Sequence, residues 1–267
     1  MKRDYLSYSA LKAFAKSPNH YLQYVGQERT QSPAMLTGSA LHCLLLEPEK
    51  YAERYVVAPV INKRTNAGKT EWAAFVEQAG ERDVLTIEQA DQVHAMHSAA
   101  VAHPKATYLL RGCTKEVQYS GEINGVEFRG VPDASNANRI VDVKTTGDAS
   151  PDGFKRQITT LDYYLQAAIY RRLCDVDEFY WLAIENAAPH NVAIYTPSTD
   201  GLIATEAYLD DLIERFKAWD GKPQGYTPEP MELDLPPWHA AWKIERKASA
   251  PKLDTNDDNF NQFLNSL

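Results

Sequence analysis

Arg129-Gly130-Val131-Pro132-Asp133, followed by Ile140-Val141-Asp142-Val143-Lys144, is the stretch from which the rest of this chain can be read. It is predicted to be a strand end, a short turn and a second strand. Side chains alternate faces along a strand. Asp142 and Lys144 therefore project from one face, and Val141 and Val143 from the opposite, apolar one. Asp133 follows Pro132, which cannot donate to a sheet ladder and tends to end or edge a strand. If the two strands pair, two carboxylates and one ammonium converge on a single spot.

These residue types together suit a metal site for cleaving phosphodiesters. Two carboxylates favour Mg²⁺ or Mn²⁺, which prefer hard oxygen donors and water. A bound divalent ion activates water and stabilises charge on a scissile phosphate, and two-metal sites hold their ions roughly 3.5–4 Å apart. Lys144 would add a fixed positive charge beside the phosphate oxygens. An Asp-x-Lys on an exposed edge strand is also an ordinary sequence, so its companions decide the reading.

Upstream of this stretch, from Lys115, the apolar period is two, and Asn124-Gly125 is a strong hairpin turn signal. The pattern predicts strands over Lys115–Ile123 and Val126–Val131 joined as a hairpin, with Arg139–Lys144 adding a third strand. Glu116 is a further candidate carboxylate and equally an ordinary exposed strand residue. Downstream, a loop rich in Gly, Asp, Ser and Pro leads to a helix expected from about Ile158 to Leu173. Gln166 and Tyr170 share one of its faces, four residues apart, while Tyr163, Tyr164, Leu165, Ala168 and Ile169 supply its packing side. Strands Glu178–Ile184 and Val192–Tyr195 follow, then a long helix from Ser198 to Trp219.

The N-terminal part reads as helices. Ser7 or Ser9 caps the first, Ser17-Pro18 ends it, and a second begins near Asn19. A third spans Met35 to Leu46 and carries Gly38 and His42 on a common face. Glycine inside a helix costs about 1 kcal/mol relative to alanine, which suggests close packing against the backbone there. His42 reads as a core histidine or, beside a metal site, as a nitrogen ligand or phosphate contact. Gly68-Lys69-Thr70 imitates the end of a phosphate-binding loop, but Lys63 stands where its first glycine belongs and no apolar strand precedes it. Nucleotide binding is rejected, and Lys63, Arg64 and Lys69 are taken as a basic or merely solvated loop. Trp72–Gln78 and Glu88–Val101 are predicted helices. His94 and His97, three apart on the second, lack partners for a zinc site and read as surface histidines.

With 267 residues and 44% hydrophobic content, the chain can hold one large α/β domain with appendages. No apolar run approaches the roughly 18 residues of a membrane span, and the opening residues do not read as a signal peptide. Cys43, Cys113 and Cys174 lie far apart with no CxxC pair, which fits free thiols in a reducing cytoplasm and argues against zinc ribbons and iron–sulfur clusters. A net charge of −8 excludes a generic nucleic-acid coater but not an enzyme with a local basic channel.

The ordered set of His42 on a helix, Asp133 at a strand end, Asp142-x-Lys144, and Gln166-x-x-x-Tyr170 resembles the RecB-like branch of the PD-(D/E)xK nuclease superfamily. Tyr5-Leu6-Ser7-Tyr8-Ser9-Ala10-Leu11-Lys12-Ala13-Phe14, Ser17-Pro18 and Gly38-Ser39-Ala40-Leu41-His42 are similar more narrowly to the RecE-like exonucleases of bacteria and phages. The resemblance covers about residues 4–242. It implies a restriction-endonuclease-like α/β core with a central mixed β-sheet flanked by helices. It further implies that His42, Asp133, Asp142 and the Val143 carbonyl hold Mg²⁺, with Mn²⁺ able to substitute. Lys144 takes the role of catalytic lysine, and Gln166 and Tyr170 contact DNA or brace the site. Asp142 stands where many members have Glu, a shorter reach. Also implied are 5′→3′ degradation of one strand of linear double-stranded DNA in the cytoplasm, a homo-oligomeric ring, with a tetramer favoured, and a single-strand annealing protein as partner in recombination.

The domain is expected over residues 1–242, with 243–267 as a linker and short tail. Phe260, Phe263, Leu264 and Leu267 lie at helical spacing, and a helix that short needs something to dock on, so the tail is a candidate anchor for a partner. Two other functions fit the same residues: a nuclease for branched or single-stranded DNA, and an inactive DNA-binding or assembly module. The second is disfavoured because Asp133, Asp142 and Lys144 are all present.

Overall fold

Serines and threonines set the helix starts of this protein. In the computed structural model, which describes residues 3–28 and 30–224, Ser7, Ser17, Ser32, Thr65, Thr86, Ser150 and Ser198 each accept a backbone N–H at a helix N-terminus. The first half of the chain runs α1 (Tyr8–Lys16), α2 (Pro18–Gly26), α3 (Pro33–Leu46), α4 (Pro48–Arg54), β1 (Tyr55–Val57), α5 (Asn66–Ala79), β2 (Asp83–Leu85), α6 (Ile87–Ala102) and α7 (Pro104–Leu110). The second half runs β3 (Thr114–Lys115), β4 (Tyr119–Ile123), β5 (Val126–Gly130), β6 (Ala134–Ser135), β7 (Arg139–Thr146), α8 (Pro151–Leu161), α9 (Tyr163–Cys174), β8 (Glu178–Glu185), β9 (Val192–Tyr195) and α10 (Thr199–Ala218).

A five-stranded mixed sheet of order β3-β6-β7-β8-β9 forms the middle layer. Strands β7 and β8 pair in parallel, and the other neighbours are antiparallel. The alternation expected for β7 holds. Ile140 joins one core with α1, α2, α8, α9 and α10, together with Phe179, Trp181 and Ala183 of β8. Val141 and Val143 join a second core with α3, α6 and α7, together with Leu182 and Ile184 of β8. The sheet is thus buried on both faces, as its parallel centre requires. No helix among the described residues is long and apolar enough to cross a membrane.

Four local expectations change. The β4–β5 hairpin forms across Asn124-Gly125, but as a separate two-stranded sheet rather than a continuation of β7; the strand that pairs with β7 on that side is the two-residue β6. The strand expected from Lys115 breaks at Glu116, whose φ is +51°. The helix expected over 158–173 is two helices, because Asp162 sits in the left-handed region between α8 and α9. Lys69 lies in the first turn of α5 rather than in a loop. The proposed boundary at 242 and the tail lie outside the described residues.

Candidate active site

The sheet ladder opens where the site begins. Ser135 and Ala134 pair with Ile140 and Val141, and beyond them the chain diverges from β7. The Val143 N–H instead donates to Asp133 Oδ2 at 2.6 Å. A carboxylate therefore replaces the next rung, and Asp133 is held against β7 by the backbone itself. The β3–β6 pairing continues as a bond from the Glu116 N–H to the Asp133 carbonyl at 3.1 Å. That bond, with the positive φ of Glu116, brings a third carboxylate beside the first.

His42 arrives from α3 on the other side. Its Nδ1 lies 3.4 Å from Asp133 Oδ1, and donor atoms of His42, Glu116 and Asp133 all lie within 4.8 Å of one another. Asp142 stands next to this group on β7, 1% exposed. Its Oδ2 lies 2.6 Å from Lys144 Nζ, and its Oδ1 accepts from Gln166 Nε2 at 3.1 Å. Lys144 Nζ sits 4.7 Å above the Tyr163 ring, and the Tyr163 hydroxyl accepts from Gln157 at 3.1 Å. These groups line one cleft of about 740 Å³, whose wall also includes Gly38, Glu47 and Arg54.

The charges in this cleft are strained against one another. Burial, and then the neighbouring Asp133, push the Glu116 carboxyl up to about 7. Burial pushes Asp142 up to about 6, against the opposing pull of Lys144. Burial also acts on Asp133, but His42, Lys144 and the Val143 N–H outweigh it and hold that carboxyl below its usual range. For His42 and Lys144, burial favours the neutral forms, and the carboxylates override it and raise both. Glu47, a fourth acid in the cleft wall, is committed to Lys50 and to Arg54, the latter at 2.9 Å.

One imidazole and two carboxylates, with a third carboxylate adjoining, are a donor set that fits a divalent cation. The raised Glu116 and Asp142 carboxyls show why, since a cation would relieve the crowding that burial imposes on them. His94 and His97 on α6 belong to no such group; His94 packs edge-on against Tyr51.

All of the residues singled out from sequence meet here except that Tyr170 reaches the site from one side. Its hydroxyl comes within 3.5 Å of the Val131 carbonyl, and burial pushes it up to about 12. Gln166 turns to Asp142 rather than to the lysine. Glu116 proves to be in the cluster, a position the β3–β6 register could have signalled. Tyr163, read as a packing residue, lies under Lys144 as well. Gly38 is not tightly packed: a Cβ there would meet only Thr145 Oγ1, at 3.7 Å.

The sequence profile described as "PDDEXK-like domain of unknown function (DUF3799)" matches residues 7–224, most of the chain. The chain belongs to this PDDEXK-like family. Among curated proteins, none matches. A putative exonuclease from Eubacterium rectale has a similar solved structure, with a TM-score of 0.58 at 15% identity over 90% of this chain and 94% of that one. At that identity the likeness supports the fold. A phage-related exonuclease from Haemophilus somnus 129PT and an alkaline exonuclease from Laribacter hongkongensis match with TM-scores of 0.28 and 0.29. They share 16% and 14% identity, covering 67% and 64% of this chain and 94% and 93% of theirs. The PDDEXK-like domain is of the nuclease type, a phosphodiester hydrolase fold with its central mixed sheet between helices.

Proposed function

We propose that this PDDEXK-like protein is a Mg²⁺-dependent exonuclease, with Mn²⁺ as substitute, that degrades one strand of linear duplex DNA in the 5′→3′ direction. The observation that carries the reading is the convergence of His42, Glu116 and Asp133 donor atoms beside the Asp142–Lys144 pair in one cleft. His42, Glu116, Asp133 and Asp142 would hold the ion, with the Val143 carbonyl as an added donor. When bound, the ion supplies Lewis-acid charge at the scissile phosphate and acidifies a water molecule. Lys144 keeps its proton and offers a fixed positive charge to the phosphate oxygens. Gln166 fixes the Asp142 carboxylate, and Tyr170 braces the turn that leads into Asp133.

The 3′ overhangs so produced are the substrate an annealing protein needs, which places the enzyme in recombination in a bacterial or phage-infected cytoplasm. We assign residues 1–242 to the nuclease domain and 243–267 to a tail that anchors this partner or a neighbouring subunit of a ring, a tetramer favoured. Unchanged oligomer size and unchanged partner capture after deletion of residues 255–267 would remove the anchor. The deciding experiment compares linear duplex DNA with a covalently closed circle in Mg²⁺. The expected result is progressive loss of one strand of the linear form only, blocked by EDTA and by Asp142→Ala. Cutting of the circle, or no cutting at all, overturns the exonuclease reading.

A further inference from the structure

Away from the cleft, two adjoining grooves run over α1 and α2, of about 400 Å³ and about 270 Å³, and both include Ser9 and Tyr24 in their walls. The chain carries 36 acidic against 28 basic side chains, yet neither groove has a carboxylate in its lining. Its permanently charged residues are all cations: Arg3, Lys12, Lys16 and Arg129. Two tyrosines, Tyr5 and Tyr24, lie among them. The Arg129 guanidinium sits 4.1 Å over the Tyr5 ring, forming a flat cation–aromatic platform. That platform is fixed in place. Leu6, fully buried, exchanges backbone bonds of 2.8 Å with Glu127 and Arg129, tying the N-terminal segment to β5.

The smaller groove ends on Gly130, Val131 and Tyr170, two residues short of Asp133. A chain-like anion lying in it would therefore lead to the catalytic carboxylates. Cations in series with planar groups are what a single polynucleotide strand requires, since phosphates pair with the former and bases stack on the latter. We propose that this double groove binds a single strand of the DNA substrate, with one base stacked on the Tyr5–Arg129 platform and the phosphates paired with Arg3, Lys12 and Lys16. The identity of the strand as substrate rests on the nuclease reading above; the binding itself does not.

The test uses the full chain in EDTA, with a short fluorescein-labelled oligothymidylate titrated over a salt series. Lys16 and Arg129 are both exposed, so Lys16→Ala combined with Arg129→Ala should fold as wild type, checked by thermal unfolding. It should bind the oligonucleotide about tenfold more weakly, with a salt slope shallower by about 1.4, at roughly 0.7 per lost phosphate contact. Arg129→Lys keeps the charge without the planar fork; it should retain the slope and lose the quenching of a 2-aminopurine base that wild type produces. Equal affinity and slope in the double variant, or no strand binding by wild type, overturns the groove, and undiminished quenching by Arg129→Lys overturns the stacking. DNA cleavage by wild type is scored separately. A protein that binds through the groove and never cuts keeps this inference and loses the nuclease reading, whereas one that cuts while the double variant binds normally loses the groove alone.

Discussion

Asp142 is the residue on which the site's energetics turn, because it is almost fully buried and leans on Lys144 and Gln166 for its charge. Removing one member of a buried ion pair leaves the other uncompensated, at about 3–5 kcal/mol. Lys144→Ala is expected to lower DNA cleavage by at least about 100-fold, in line with the loss of a charge-stabilising donor, and to lower thermal stability too. Adding Asp142→Asn should restore much of that stability and none of the activity, because the orphaned carboxylate is gone while the lysine remains absent. Recovery of activity in the double variant would show that Lys144 serves packing alone. At this scale the sequence was informative wherever one rule governed one residue. Strand alternation placed Asp142 and Lys144, and helical spacing placed Gln166 and Tyr170. Glu116 was harder because its position depends on a left-handed backbone break and on the register of β3 with β6, neither of which has a local signature. Tyr163 was harder for a related reason, since the break at Asp162 that rotates it under Lys144 uses an aspartate rather than a glycine.

Between elements, the contact of β5 with α9 controls how the Gln166–Tyr170 face is presented. Gly130 closes β5, and a Cβ built there would lie 2.6 Å from Tyr170 Cε1 and 3.1 Å from its Cδ1. The ring is buried and has little room to yield. Gly130→Ala is therefore expected to cost about 1–3 kcal/mol as overpacking, and to reduce cleavage because Tyr170 and Gln166 move together on one helix. A variant with wild-type unfolding midpoint and wild-type activity would mean the ring swings away freely. Element types were legible from periodicity and caps, down to Ser198 before α10 and the span of β9. Sheet membership was not. A hairpin signal says that β4 pairs with β5 but not which sheet the pair belongs to, and here the next strand pairs with the two-residue β6 instead.

For the whole molecule, the informative quantity is stability as a function of added metal, because an ion that binds only the folded state stabilises it by mass action. The donor set contains an imidazole, which suits Mn²⁺ better than Mg²⁺. The unfolding midpoint should rise with either ion and half-saturate at lower Mn²⁺ than Mg²⁺; His42→Ala should narrow that difference, and Asp133→Asn should abolish both shifts. Equal shifts in the Asp133→Asn protein would place the ion elsewhere. The three-layer plan has one more consequence. His42 belongs to the layer packed on one face of the sheet, Gln166 and Tyr163 to the layer packed on the other, and the carboxylates to the sheet and the turns at its edge. Neither layer alone contains a working set. Activity is thus a sentinel of assembly: loosening either helical layer, even with the sheet intact, silences the enzyme before the chain unfolds, so a half-built molecule cannot nick the DNA around it.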